Sequence, residues 1–106
     1  MRRVLIGAAA LVAAWTGAAA AQDSGLLAFE LGDVIGSERG CKLRFDQSAI
    51  ERFIEANAPN ADMGFMSQMN GAADIMADKF SGFTASQKTA HCTQVRRVAK
   101  ANGFID

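Results

Sequence analysis

The chain has two cysteines, Cys41 and Cys92, and whether they are joined is the strongest single constraint on what it can fold into. A bond between them would close a loop of about 52 residues and destabilise the unfolded chain by roughly 4 kcal/mol, a large share of a small domain's stability. The compartment decides the matter, and the N-terminus indicates the compartment. Its first residues, MRRVLIGAAALVAAWTGAAAAQD, place two arginines ahead of an apolar run from Val4 to Ala14, then a small-residue tract ending Ala19-Ala20-Ala21 before polar Gln22. That order is a secretory signal peptide, expected to be cut after Ala21. An uncleaved anchor would need every alanine and glycine of the tract to count toward a bilayer-spanning length. No cysteine closes the tract to accept a lipid, and Arg2-Arg3 lack the longer polar stretch of a twin-arginine signal, so the general secretory route is expected. A chain delivered to the periplasm or beyond meets oxidising conditions, where two cysteines most simply pair.

Removing residues 1–21 leaves 85 residues, enough for one domain with a thin core. That part holds nine Lys or Arg against eleven Asp or Glu, a formal charge of about −2. This balance excludes a strongly basic protein built to coat nucleic acid. The charge is unevenly placed: residues 22–78 carry four basic and ten acidic side chains, residues 79–106 five basic and one acidic. Either the two parts neutralise one another on packing, or the C-terminal part presents a positive face to an acidic partner.

With one proline and little β-branched alternation the sequence offers few strands, and an all-α bundle of three to four helices stapled by one disulfide is expected. A first helix over about Ser24 to Ile35 has Leu26, Leu27, Leu31, Val34 and Ile35 at helical spacing, weakened by Gly32 and ended by Gly36. A second has Asp46 as N-cap, runs Gln47 to Asn57 with Ile50, Phe53 and Ile54 on one face, and stops before Pro59; Phe45 and Ile50 stand as a hydrophobic staple. The third, Asp62 to about Phe80, shows a core stripe of Met66, Met69, Ala73, Met76 and Phe80, interrupted by Gly71. The fourth opens with the capping box Thr84-Ala85-Ser86-Gln87 and closes at Asn102-Gly103-Phe104, where Gly103 suits a left-handed C′ position and Phe104 folds back on Val98 or Ala99. Between Gly36 and Asp46 the stretch SERGCKLRF is expected to be extended or turn-like.

Chemistry-bearing groups are few. Cys92 shares a helix face with Ala85, Val95 and Ala99, so its sulfur points inward, where a structural bridge belongs. The alternative, a thiolate activated by the lone histidine, His91, is poorly served by geometry, because adjacent helical residues point about 100° apart. A redox pair would need a C-x-x-C spacing that is lacking, and two cysteines with one histidine fall short of a zinc site. His91 is therefore expected to be packed or at the surface. Met63, Met66 and Met69 recur every third residue, and thioethers so spaced suit Cu(I); the competing reading is that they fill the core. Glu51 with Glu55 and Asp74 with Asp78 are i, i+4 carboxylate pairs expected on solvated faces. No phosphate loop, nucleophile elbow or metalloprotease motif occurs, so neither an enzyme nor a cofactor is expected. The outward cations Arg96, Arg97 and Lys100 form the one concentrated charge feature, a candidate face for a protein partner.

The patterns SERGCKLRFDQSAIERFI and SQKTAHCTQVRRVAKANGF resemble those of a group of small exported proteins of alphaproteobacteria. That resemblance covers most of residues 22–106 and implies export, small size and the two cysteines. In size and cysteine spacing the chain is also similar to the HdeA family of periplasmic acid-stress chaperones. Members of that family are disulfide-linked helical dimers that loosen at low pH and bind unfolding clients. The tryptophan that family carries near its first cysteine is lacking, since Trp15 lies in the leader. The expected function is a small periplasmic structural or interaction protein without catalysis. An acid-stress holdase opening below about pH 4 and a Cu(I) carrier are its alternatives.

Overall fold

The structure, a computed structural model, describes residues 24–106. The expected leader and its cleavage point after Ala21 lie outside the described residues. Four helices follow one another: α1 over residues 24–36, α2 Gln47–Asn57, α3 Met63–Ser81 and α4 Ala85–Ala101, with no strand among the described residues. The disulfide is formed, Cys41 to Cys92, with Cα atoms 5.4 Å apart. Among the described residues no helix is long and apolar enough to cross a membrane.

Each helix from α2 onward begins where a side chain satisfies otherwise orphaned backbone amides. The Asp46 carboxylate accepts from Ser48 N–H at 2.9 Å and Ala49 N–H at 3.3 Å, and that of Asp62 accepts from Phe65 N–H at 3.0 Å. At α4 the capping box is reciprocal: Gln87 N–H donates to Thr84 Oγ1 at 3.2 Å and Thr84 N–H to Gln87 Oε1 at 2.8 Å. Its far end is a Schellman motif, with Gly103 at φ 77°, Gly103 N–H on Lys100 O at 3.2 Å and Phe104 N–H on Ala99 O at 2.8 Å. Phe104, 1% exposed, lies with its ring centroid 5.7 Å from Phe45 and 5.6 Å from Phe53. The last turn of the chain thus reaches across to α2 instead of resting on Val98, which is 43% exposed.

The core collects Ala28, Leu31, Val34, Phe45, Ala49, Phe65, Met69, Val95, Ala99 and Phe104 around the two half-cystines. On α3 the fully buried positions are Phe65, Met69, Ala72 and Met76, whereas Met66, Ala73 and Phe80 of the expected stripe are half-buried. The stripe is rotated toward Phe65 and Ala72 because α1 packs over Met69, Ala72 and Ala73.

That contact also corrects the expectation for Gly32 and Gly36. Neither simply weakens α1: the helix runs through Gly32 to residue 36, and both glycines are points of closest approach to α3. A methyl at Gly32 would sit 2.5 Å from Met69 O and 2.6 Å from Ala72 Cβ; at Gly36 it would meet Ala73 Cα at 2.9 Å and the Ala73 carbonyl oxygen more closely still. With Gly25 nearest Gln68, the contacts advance along both helices in the same order, so α1 lies along α3 in the same direction. Gly71, by contrast, is exposed and a methyl there would meet nothing within 4 Å. Thermal unfolding distinguishes the two kinds of glycine. Gly36→Ala forces helix backbones apart and destabilises by about 1–3 kcal/mol, whereas Gly71→Ala, relieved of glycine's backbone entropy, stabilises by about 1 kcal/mol.

Candidate functional site

The bonded cysteines sit where α1 hands over to α2. Past residue 36 the chain makes another turn, with Ser37 N–H on Val34 O (3.1 Å), Glu38 N–H on Ile35 O (3.1 Å) and Cys41 N–H on Ser37 O (2.9 Å). Lys42 N–H on Arg39 O at 3.1 Å and Leu43 N–H on Glu38 O at 2.9 Å close it as a second Schellman motif. Here the left-handed position is held by Lys42, φ 57°, in place of glycine. A side chain there costs on the order of 1 kcal/mol and persists only when its surroundings fix it. The Glu38 carboxylate supports the exit by accepting Phe45 N–H at 2.7 Å. Both half-cystines are 7% exposed, and neither is left as a thiol.

One residue upstream of Cys92, His91 Nε2 lies 2.7 Å from Ser37 Oγ. Ser37 is fully buried, and its hydroxyl also lies 2.7 Å from Asp33 O, an acceptor only. The single hydroxyl proton therefore goes to that carbonyl, and the imidazole donates through Nε2–H. Phe83 and Phe80 wall the ring, with centroids at 5.5 and 6.0 Å, and Lys88 Nζ stands 5.4 Å over Phe80. The expectation of a packed histidine captured its surroundings and missed its bond. A serine–histidine distance of this kind also marks activated nucleophiles, but Ser37 has no accessible surface through which to meet a substrate. The arrangement ties α1 to α4 beside the disulfide. Ser37 and Asp33 were not singled out in the sequence, because a contact spanning 54 positions leaves no local signature.

The remaining candidates are dispersed. Met63 is 81% exposed, Met66 half-buried and Met69 5% exposed within the core, so the three thioethers are not brought onto one open face. Steps of three on an α-helix rotate by about 60° each, which separates them. Glu51, Glu55, Asp74 and Asp78 are all exposed, as solvated faces require. An open groove of about 580 Å³ between the starts of α1 and α3 is lined by Ser24, Asn57, Pro59, Asp62 and Gln68 among others. Among the described residues its one carboxylate, that of Asp62, is occupied in capping α3. Arg96, Arg97 and Lys100 are exposed on α4: Arg97 lies well away from the buried Cys92, Val95 and Ala99, and Arg96 and Lys100 follow Cys92 by four and eight residues along the edge of that buried stripe.

Compared with known proteins, the chain matches no family model, no curated protein and no solved structure. The geometry of the tie therefore carries the chemical argument. Replacing Ser37 by alanine leaves the His91 donor without its partner in an apolar wall and destabilises by about 1–3 kcal/mol. Reducing the disulfide destabilises by roughly 4 kcal/mol. Urea unfolding of the single, reduced and doubly altered proteins measures both, and because the two ties adjoin, the combined loss differs from their sum.

Proposed function

We propose that the protein is a small exported protein of the periplasm that acts by binding another protein and not by catalysis, using the outward face of α4. The observation that carries this reading is that the helix held by both the disulfide and the Ser37–His91 contact also bears the densest exposed positive charge. α4 is capped at both ends, bonded to the α1 turn through Cys92 and hydrogen-bonded through His91, while Arg96, Arg97 and Lys100 face outward. Cations on a rigid element meet an acidic partner without first having to be ordered, and interfacial charge supplies encounter rate and selectivity. Export is supported by the leader-like N-terminus together with a buried disulfide of a kind that persists in oxidising compartments.

Two measurements test the reading. Protein taken from the periplasm begins at Gln22 by intact mass, and its cysteines resist alkylation until it is unfolded and reduced; a freely alkylating Cys92 removes the argument for export. Charge reversal at Arg96, Arg97 and Lys100 together abolishes retention of the native acidic partner while leaving the helical circular dichroism unchanged. Retention of that partner by the reversed protein contradicts the assignment of the face.

A further inference from the structure

Two tie points fix the course of the chain between α1 and α2. At one end Cys41 is bonded to Cys92, and at the other Asp46 N–H donates to Phe104 O at 2.8 Å. The intervening segment therefore runs beside α4 in the direction of α4. Turned at Lys42 and free of the turn only from Leu43 on, the chain from Cys41 to Asp46 spans less than its fully extended reach of about 16 Å, and the helix rises about 14 Å from Cys92 to Ala101, so the segment can follow α4 over most of that distance. Along the segment Cys41 and Phe45 are buried and Leu43 half-buried, while Lys42 and Arg44 are exposed. Both cations are therefore at the surface, one on each side of Leu43 in the chain. Arg96 and Lys100 follow Cys92 by one and two helical turns, with Arg97 beside them, and all three are exposed. Five of the nine Lys and Arg found in residues 22–106 are thus exposed on two stretches of chain that the disulfide ties together. In the sequence the first two belong to residues 22–78, where carboxylates outnumber cations. The carboxylates at the two ends of this segment are held against backbone amides, Glu38 on Phe45 N–H and Asp46 on Ser48 and Ala49 N–H.

We infer that Lys42 and Arg44 complete the α4 face into one two-row cationic track that takes an acidic, extended stretch of a protein partner lying along α4. The inference rests on the proposed function and specifies its partner. Lys42 and Arg44 are two residues apart, a spacing of at most roughly 7 Å; Arg96 and Lys100 are one turn apart, roughly 6 Å. Carboxylates on alternate residues of an extended peptide repeat at about 7 Å, so one such peptide meets both rows in step. Among the exposed large hydrophobics, Leu26, Phe29, Met63, Ile75 and Val98, only Val98 belongs to α4, which leaves the track without the inserting side chains of a lipid-binding surface.

The test titrates the oxidised protein, residues 22–106, with a labelled dodecapeptide of alternating glutamate and threonine at low ionic strength, followed by fluorescence anisotropy. Lys42→Glu with Arg44→Glu, and separately Arg96→Glu with Arg97→Glu, each weaken binding by about tenfold or more, whereas Arg52→Glu with Lys79→Glu, the same charge change elsewhere, weakens it less than roughly threefold. If the Lys42 and Arg44 pair behaves like the Arg52 and Lys79 pair while the α4 pair loses affinity, the two-row track is wrong and the α4 face stands. If neither pair differs from the control, the α4 face falls as well. Tighter binding to phosphatidylglycerol vesicles than to the peptide, lost with the same pairs, assigns the surface to lipid and overturns the inference. The neutral pair Lys42→Gln with Arg44→Gln replaces the reversed one if the latter loses its helical signal.

Discussion

The bond between Cys41 and Cys92 is the constraint on which the rest of the structure depends. It joins a turn to the middle of α4 across 51 positions, so a core built from small helices need not close that loop unaided. The neighbouring Ser37–His91 hydrogen bond works in the same place and the same sense. Together they fix the orientation of the chain as it leaves α1, including a lysine in a backbone conformation that glycine normally occupies. From that fixed point the segment to Asp46 has one course available, and Phe45 enters the core beside Phe104. Stability and surface are therefore linked, because the tie that closes the core also decides which charges share a side.

The second constraint is steric. α1 can lie against α3 only because Gly32 and Gly36 remove the side chains that would strike Met69, Ala72 and Ala73. Close approach of this kind maximises dispersion contacts between backbones where few large apolar side chains are at hand. It also explains why α1 tolerates two residues that individually disfavour helix by about 1 kcal/mol each. Packing outweighs propensity there.

Much of the fold was legible from the sequence, and the reasons are local. Asp46 and Thr84 cap helices because their side chains satisfy amides two or three residues away, an interaction that a linear pattern records directly. Gly103 was readable as a left-handed terminus for the same reason. The disulfide was readable from two cysteines and a leader-like N-terminus. What the sequence concealed was long-range: the glycine contacts of α1, the buried Ser37, and the bond from Asp46 N–H to Phe104 O that fixes where the segment from Cys41 ends. On α3 the expected Met69 and Met76 are buried, while Phe65 and Ala72 take the places of Met66 and Ala73 at the centre, since periodicity marks a face but the neighbouring helix selects its centre.

Amide hydrogen exchange on the oxidised and reduced protein tests the central claim most directly, because it reports the turn between α1 and α2 residue by residue. The donors to follow are the Cys41, Leu43 and Asp46 amides, bonded to Ser37, Glu38 and Phe104 carbonyls. With the disulfide intact these amides exchange only through global unfolding. After reduction they become the first to open, while those of α3 around Met69 and Ala72 remain protected. Exchange of the Cys41, Leu43 and Asp46 amides that is unprotected in the oxidised protein, or equally slow after reduction, would contradict the dependence of the fold on this bond.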